Sequence, residues 1–208
     1  MRILLFIALL LSSASLSAQK IFSEGRIRYD VYVNGEAKPS GLYVITVKGG
    51  NIRRELSMNN GYSNVTLFHF KTGKTYSLAV DGDEYYALEL SAEEVQEKNK
   101  RFSGAQVSNG TKSRKLAGQA CLSAEVVYTD GEKVSIFFTP DYVPQHETFN
   151  AMFPGLKGLA LEYEVRSSKA PGMKFVATEM NINPVESGQF EVPAGYRILT
   201  RAELEKLH

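Results

Sequence analysis

The sequence predicts a mainly β protein: a large curved antiparallel sheet forming an incomplete, half-open β-barrel, with two or three short helices covering the concave face. Three observations predict it. Apolar and polar residues alternate with period two in segment after segment, the pattern of strands with one buried face. Turn signals rich in Gly and Asn separate the segments at strand-like intervals. The pattern yields about ten or eleven strands, and because neighbours twist by ~20° a sheet that wide curls toward a barrel.

The elements follow in order. "GRIRYDVYV" (25–33) puts Ile27, Tyr29, Val31 and Val33 on one face and Arg26, Arg28 and Asp30 on the other. "GLYVITVKGGNIRRELSM" (41–58) reads as a hairpin, with Gly49-Gly50 supplying the positive φ of a tight turn. "NVTLFHF" and "KTYSLAV" flank a turn at 71–73, and "VDGDEYYALEL" turns at Asp81-Gly82. Six strands in immediate succession imply an antiparallel meander. Ser91 in "SAEEVQEKNK" is placed to cap a helix, with Glu94 completing a capping box.

A polar, Gly-containing stretch at 103–111 interrupts the strand pattern, with Gly118 a bend or bulge that enters the next strand. Strand pattern resumes at "ACLSAEVVY", turns at Asp130-Gly131 and returns as "KVSIFFTP". Alternation sets Ala120, Leu122, Ala124 and Val126 on one face and Cys121 on the other, with Ser123 and Glu125. "QHETFNAMF" reads as a short helix ended by Pro154-Gly155. "LALEYEVRS" and "MKFVATEMNIN" form a hairpin around Pro171-Gly172. "FEVPAGYRIL" is a terminal extended segment and "RAELEKLH" a closing helical turn. "YVITV" and "VSIFF" are apolar on both faces, so part of the sheet is expected to be covered on both sides.

Residues 1–18 have the layout of a signal peptide: Arg2, an unbroken apolar run at 3–11, then small residues, with cleavage expected after Ala18 and Ala14 or Ser17 as the alternatives. The run is shorter than the ~20 residues of a transmembrane helix, and no cysteine follows it for lipid attachment. The expected product is one domain, 19–208, periplasmic or secreted and soluble. Losing Arg2 leaves 23 basic against 23 acidic residues. A neutral chain has no basic field with which to hold nucleic acid. A single cysteine makes no internal disulfide.

No motif declares catalysis. Cys121 has no neighbouring base in sequence, and His69, His146 and His208 lack the spacing of a metal site. "DGDE" at 81–84 reads as a hairpin turn, too short for a calcium loop. There is no GxSxG elbow. Glu162 and Glu164 alternate with Leu159, Leu161, Tyr163 and Val165, the pattern of a solvated face. The sequons at Asn64 and Asn109 bear only on a eukaryotic secretory route. The expectation is therefore no catalytic residue, no metal and no cofactor. "FNAMFPGLKGL" is more suggestive. It sets Phe149, Met152 and Phe153 one helical turn apart beside flexible glycines, as a lid across a barrel mouth or as a plug in the core.

Four stretches carry a family likeness: "GGNIRRELSM", "NVTLFHFKTGKTYSLAVDGDEYYAL", "RKLAGQACLSAEVVYTDGEKVSIFFTPD" and "GQFEVPAGYRIL", spread over 41–199. In this order they resemble the lipoprotein-localisation-factor superfamily of exported bacterial proteins, the LolA, LolB and LppX-like carriers, and more closely its Bacteroidetes-type periplasmic relatives. The chain departs from LolA in entering a strand at Gly25 without a long amphipathic N-terminal helix. The resemblance implies a half-barrel whose apolar concavity takes acyl chains, and no catalytic centre. The function expected is the binding of a hydrophobic small molecule or lipid, or of a lipid-modified partner such as a lipoprotein. Ile27, Tyr29, Val31, Leu67, Phe138, Leu161 and Tyr163 are the candidate lining and Phe149, Met152 and Phe153 the candidate lid. A one-residue slip in register would turn any of these strands to the other face. An envelope interaction module with a filled core, and an enzyme with an unrecognised site, are the alternatives.

Overall fold

A computed structural model describes residues 19–206 except 82, 168 and 169. The expected leader 1–18, Gly82 of the expected Asp81-Gly82 turn, and His208 lie outside the described residues. Among the described residues the strands are β1 (Lys20–Phe22), β2 (Glu24–Val33), β3 (Gly41–Lys48), β4 (Asn51–Met58), β5 (Ser63–Phe68), β6 (Thr75–Asp81) and β7 (Glu84–Leu90), followed by helix α1 (Ala92–Asn99). Then come β8 (Gln106–Leu116), β9 (Gln119–Val127), β10 (Lys133–Thr139), β11 (Tyr142–Pro144), β12 (Leu159–Ser167), β13 (Ala170–Asn181), β14 (Arg197–Leu199) and helix α2 (Arg201–Leu204).

Twelve of these strands form one sheet in the order β14-β7-β6-β5-β4-β3-β2-β13-β12-β10-β9-β8. The sheet is open, with β14 and β8 at its edges, and the expected mainly β, unclosed architecture is what the chain adopts. The meander from β2 to β7 is antiparallel throughout. Two pairings are parallel, β14 with β7 and β1 with β11. Chain length forces curvature on this sheet. Strands β7 and β8 stand second and last in the order, ten steps apart or about 48 Å if flat, at ~4.8 Å per step. The connection 91–105, largely helical, reaches only about 35 Å. It therefore crosses the inner face as a chord and holds the sheet bent. Ser91 and Glu94 form the expected capping box at its start.

Other expectations are corrected. The stretch 103–111 is largely strand: β8 is an almost wholly exposed edge strand, so it has no apolar alternation to betray it. Residues 145–153 hold one 3₁₀ turn, Glu147–Asn150, and no α-helix. Pro171-Gly172 lies inside β13 and not at the hairpin tip. Cys121 is 1% exposed and belongs to the core, whereas Leu122 is 42% exposed. Across from this stretch β8 carries a bulge between Asn109 and Ser113, which breaks the register against β9. Gly110 sits there because an added Cβ would lie 2.4 Å from the Ser123 hydroxyl. Bulges increase local twist and re-aim side chains.

The main core lies on the inner face of β2, β3, β4, β9, β10, β12 and β13. A second cluster, Leu67, Tyr76, Leu78 and Ala87, packs with Val65, Val192 and Tyr196. The pairing of Arg26 with Thr46, Thr46 with Arg53 and Arg53 with Leu67 puts Leu67 on the outer face, opposite to Tyr29. A segment at 182–196 straps that outer face. Val185 N–H donates to Glu24 Oε1 at 2.8 Å, and the Arg26 guanidinium donates to Gln189 Oε1 at 2.9 Å. Thr46, 0% exposed, is covered in this way, which meets the expectation that "YVITV" is covered on both sides. On β12 the Glu162 carboxylate is largely buried, paired with Arg114 at 2.6 Å and Lys174 at 2.8 Å. It is no solvated glutamate; it ties β12 to its neighbour β13 and, across β10 and β9, to the edge strand β8.

Candidate functional site

The site begins with cross-strand pairs on the inner face. Tyr29 stands opposite Tyr43, and Ile27 opposite Ile45. Ile45 in turn faces Arg54, Arg54 faces Thr66, and Thr66 faces Ser77. Across the meander the inner positions thus change from large apolar groups to hydroxyls. Over the first part lies an aromatic floor: Tyr29, Tyr43, Tyr163, Phe175 and Phe153 make edge, tilted and stacked contacts with ring centroids 4.9 to 5.9 Å apart. Such pairs add to the stabilisation from burial alone. The Tyr29 hydroxyl donates to Ala160 O at 2.9 Å. Burial pushes the phenols of Tyr29, Tyr43 and Tyr163 above the ordinary tyrosine range, so they stay neutral.

The segment 147–158 lies over this floor. It is tied down from both sides. Arg54 Nη2 donates to Thr148 O at 2.8 Å and to Phe149 O at 3.3 Å. The Tyr128 hydroxyl donates to Met152 O at 3.0 Å. Buried Asn150 braces the segment internally, donating to Gly158 O at 2.9 Å. Gly158 is required by close approach, since a Cβ there would meet the Phe138 ring at 2.4 Å.

Beneath the segment a chamber of about 240 Å³ remains. Tyr29, Tyr43, Tyr163, Phe68, Phe149 and Phe153 supply much of its apolar wall, and Thr66, Thr75, Arg54 and Lys98 its polar side. Among the described residues no carboxylate lines it. A wider groove of about 1110 Å³ lies between α1 and the far side of the same segment. Asn99, Thr148, Asn150 and Ala151 line both spaces, so this wall separates chamber from groove.

Of the residues expected to line a concavity, Tyr29 and Tyr163 do so, as do Phe149, Met152 and Phe153 of the lid. Ile27, Val31, Phe138 and Leu161 join them in the main core but behind the chamber wall. Leu67 does not meet them; it lies in the outer cluster. Tyr43, Ile45, Arg54, Thr66, Phe68, Thr75, Leu90, Val95 and Lys98 were not singled out by sequence. The alternation of 43–47, run on through the Gly49-Gly50 hairpin, carries the signal for Tyr43, Ile45 and Arg54. Burial pushes the Cys121 thiol up to about 11, although Arg114 opposes the shift. His69 Nε2 lies 2.6 Å from Phe190 O, and His146 Nδ1 accepts from Thr148 N–H at 3.2 Å. Both rings are thereby used in structure. No group of three or more metal-ligating side chains occurs among the described residues. None of their helices is long and apolar enough to cross a membrane.

Fold and site together define a class: an open, strongly bent antiparallel sheet with a lidded chamber on its inner face. Among solved structures the chain is similar to PNGF-II, at 12% identity and a TM-score of 0.50 over 87% of this chain. It spans 31% of PNGF-II, and the likeness is one of fold. The complex of Pseudomonas aeruginosa MucA and MucB matches 86% of this chain at 13% identity, covering 59% of that chain with a TM-score of 0.47. A putative outer membrane lipoprotein-sorting protein domain from Vibrio parahaemolyticus matches 83% of this chain at 11% identity, covering 91% of that domain with a TM-score of 0.24. No protein-family model and no curated protein matches the chain in sequence.

Proposed function

We propose that this is an exported, periplasmic or secreted binding protein that holds the apolar chain of a lipid or a lipid-modified partner in the chamber under segment 147–158, and that it performs no catalysis. The observation that carries this reading is the largely apolar, half-open chamber itself. The aromatic side chains that would plug a filled core are present, yet space remains beneath them. Each methylene moved from water into such a space gains about 0.8 kcal/mol, and a preformed concave apolar site with a few polar groups is what ligand binding needs. The leader-like N-terminus and the resemblance to LolA-like carriers support export and an acyl ligand.

The test is uptake of fluorescent single-chain alkyl probes of differing head group, alongside native mass spectrometry of the gently purified protein. A stoichiometric bound lipid or probe is expected. Thr66→Phe, which projects a ring into the chamber, abolishes uptake while the protein stays folded by circular dichroism. No bound lipid and no uptake of any probe overturns the reading and leaves an interaction module with a filled core.

A further inference from the structure

We infer that the chamber selects a single-chain amphiphile with an acidic head, a carboxylate or phosphate, and that Arg54 and Lys98 receive that head. The inference rests on the proposed function and sharpens it.

The first observation is charge without a counter-charge. Arg54 and Lys98 line the chamber, and among the described residues no Asp or Glu does. Elsewhere Arg53, Arg101, Arg114, Arg166, Arg197 and Arg201 each pair with a carboxylate. No such pair forms at Arg54 or Lys98 among the described residues. The carboxylate one turn before Lys98, that of Glu94, is engaged by Arg201 at 2.9 Å.

The second observation is the setting of Arg54. It is half-buried, with Ile45 and Thr66 as its strand partners. A guanidinium brought into apolar surroundings is costly unless hydrogen-bonded and paired. Its two hydrogen bonds to lid carbonyls both start from Nη2, and the Tyr43 hydroxyl takes part of what the other nitrogens offer, so the five-donor fork is engaged only in part. A planar fork with spare donors suits the two oxygens of a carboxylate or phosphate. Lys98 projects from α1 as a more exposed point charge.

The third observation is size. About 240 Å³ lies below the ~300–1,000 Å³ usual for ligand pockets, which fits one alkyl chain and excludes several. A chain lying on the Tyr29, Phe153 and Tyr163 rings, with its head toward Arg54, uses both the apolar wall and the polar side of the lining.

The experiment compares dodecanoate, dodecyl phosphate, dodecanol and dodecyltrimethylammonium by competition against a bound fluorescent probe at fixed ionic strength. At least tenfold tighter binding of the two acids than of the alcohol is expected, with the cationic amphiphile weakest. The ratio of carboxylate to phosphate affinity distinguishes a fatty acid from an alkyl phosphate as the source. Lys98→Glu, on an exposed helical position, lowers acid affinity at least threefold more than it lowers dodecanol affinity. Arg54→Met brings acid and alcohol within about twofold, with folding checked by circular dichroism. Equal affinity for acid and alcohol in the unmodified protein, or an acid preference that survives both substitutions, overturns this inference and leaves the binding chamber intact. Failure of all four ligands to compete, with no probe bound, removes the chamber reading itself.

Discussion

The two halves of the sheet bury opposite faces. From β9 through β3 the inner face is packed: Ile27, Tyr29, Val31, Ile136, Leu161 and Tyr163 are all 6% exposed or less. From β5 to β7 the outer face is packed, by Leu67, Tyr76, Leu78 and Ala87 under Val192 and Tyr196. The chamber lies at the change of sides. There the inner positions of β5 and β6 include Thr66, Thr75 and Ser77 beside Phe68, while Leu67, Tyr76 and Leu78 point outward. A cavity in this fold therefore needs no missing side chain. It follows from a sheet that moves its apolar stripe from one face to the other.

The comparison can be broken most sharply by paired truncations. Tyr29→Ala removes a fully buried ring from the aromatic floor and leaves Ala160 O without its donor. By the usual scale for aromatic core truncation it costs about 3–5 kcal/mol in urea denaturation and abolishes probe binding. Leu67→Ala costs less, about 2–3 kcal/mol, and leaves probe affinity within twofold because Leu67 faces away from the chamber. Loss of binding in folded Leu67→Ala protein would mean that the two faces are not independent.

Tyr128→Phe deletes the hydroxyl that holds Met152 O, for about 1 kcal/mol, and speeds hydrogen exchange in 147–158 and probe release more than it lowers stability. The Cys121 thiol, buried and pushed up to about 11, should react with a disulfide reagent at neutral pH only as fast as the protein unfolds, and Cys121→Ser should retain probe binding. Fast labelling of folded protein would show the β9 end of the main core to be open.

The smallest effect concerns acid. Glu24 is held below the ordinary carboxylate value of 4.5 by the Val185 N–H and Lys48. Glu94 is held below it by the Ser91 N–H and Arg201, and Glu203 by the Thr200 N–H and hydroxyl. A lowered folded pKa stabilises above the unfolded value, and the contribution disappears as pH falls through the folded values. These groups fasten the outer strap, α1 and α2. Acid below 4.5 should therefore loosen both crossings before the aromatic floor, seen as earlier loss of hydrogen-exchange protection at 182–204 than at β2.

Much of this was legible in the sequence. Period-two alternation and glycine turns located the meander strands closely, because one buried face per strand leaves that signature. β8 escaped because an exposed edge strand carries no such pattern. Cys121 was set apart from the apolar face of Ala124 and Val126 by strict alternation, yet β9 buries Cys121 as well as those two. Leu67 was placed inside on the premise that apolar residues share one face, the premise that fails at β5. Arg54 was overlooked for the complementary reason: a charge is read as outward, although the register Ile45–Arg54–Thr66 turns it inward.

The position of β2 has a consequence for assembly in time. It is among the first strands of the chain, yet its free edge is filled by β13, with Phe175 opposite Val31 and Ala177 opposite Tyr29. Strands β2 to β7 can pair as they emerge, each with the next. The middle of the sheet stays unzipped until about 150 further residues exist, as the distance from Val31 to Phe175 requires. A chain shortened before Ala170 would present the naked edge of β2, with Ile27, Tyr29 and Val31 uncovered beside it, as a template for aggregation. Folding to completion thus waits on the last quarter of the polypeptide, and the chamber, whose floor needs Tyr29 and Tyr163 together, closes only then.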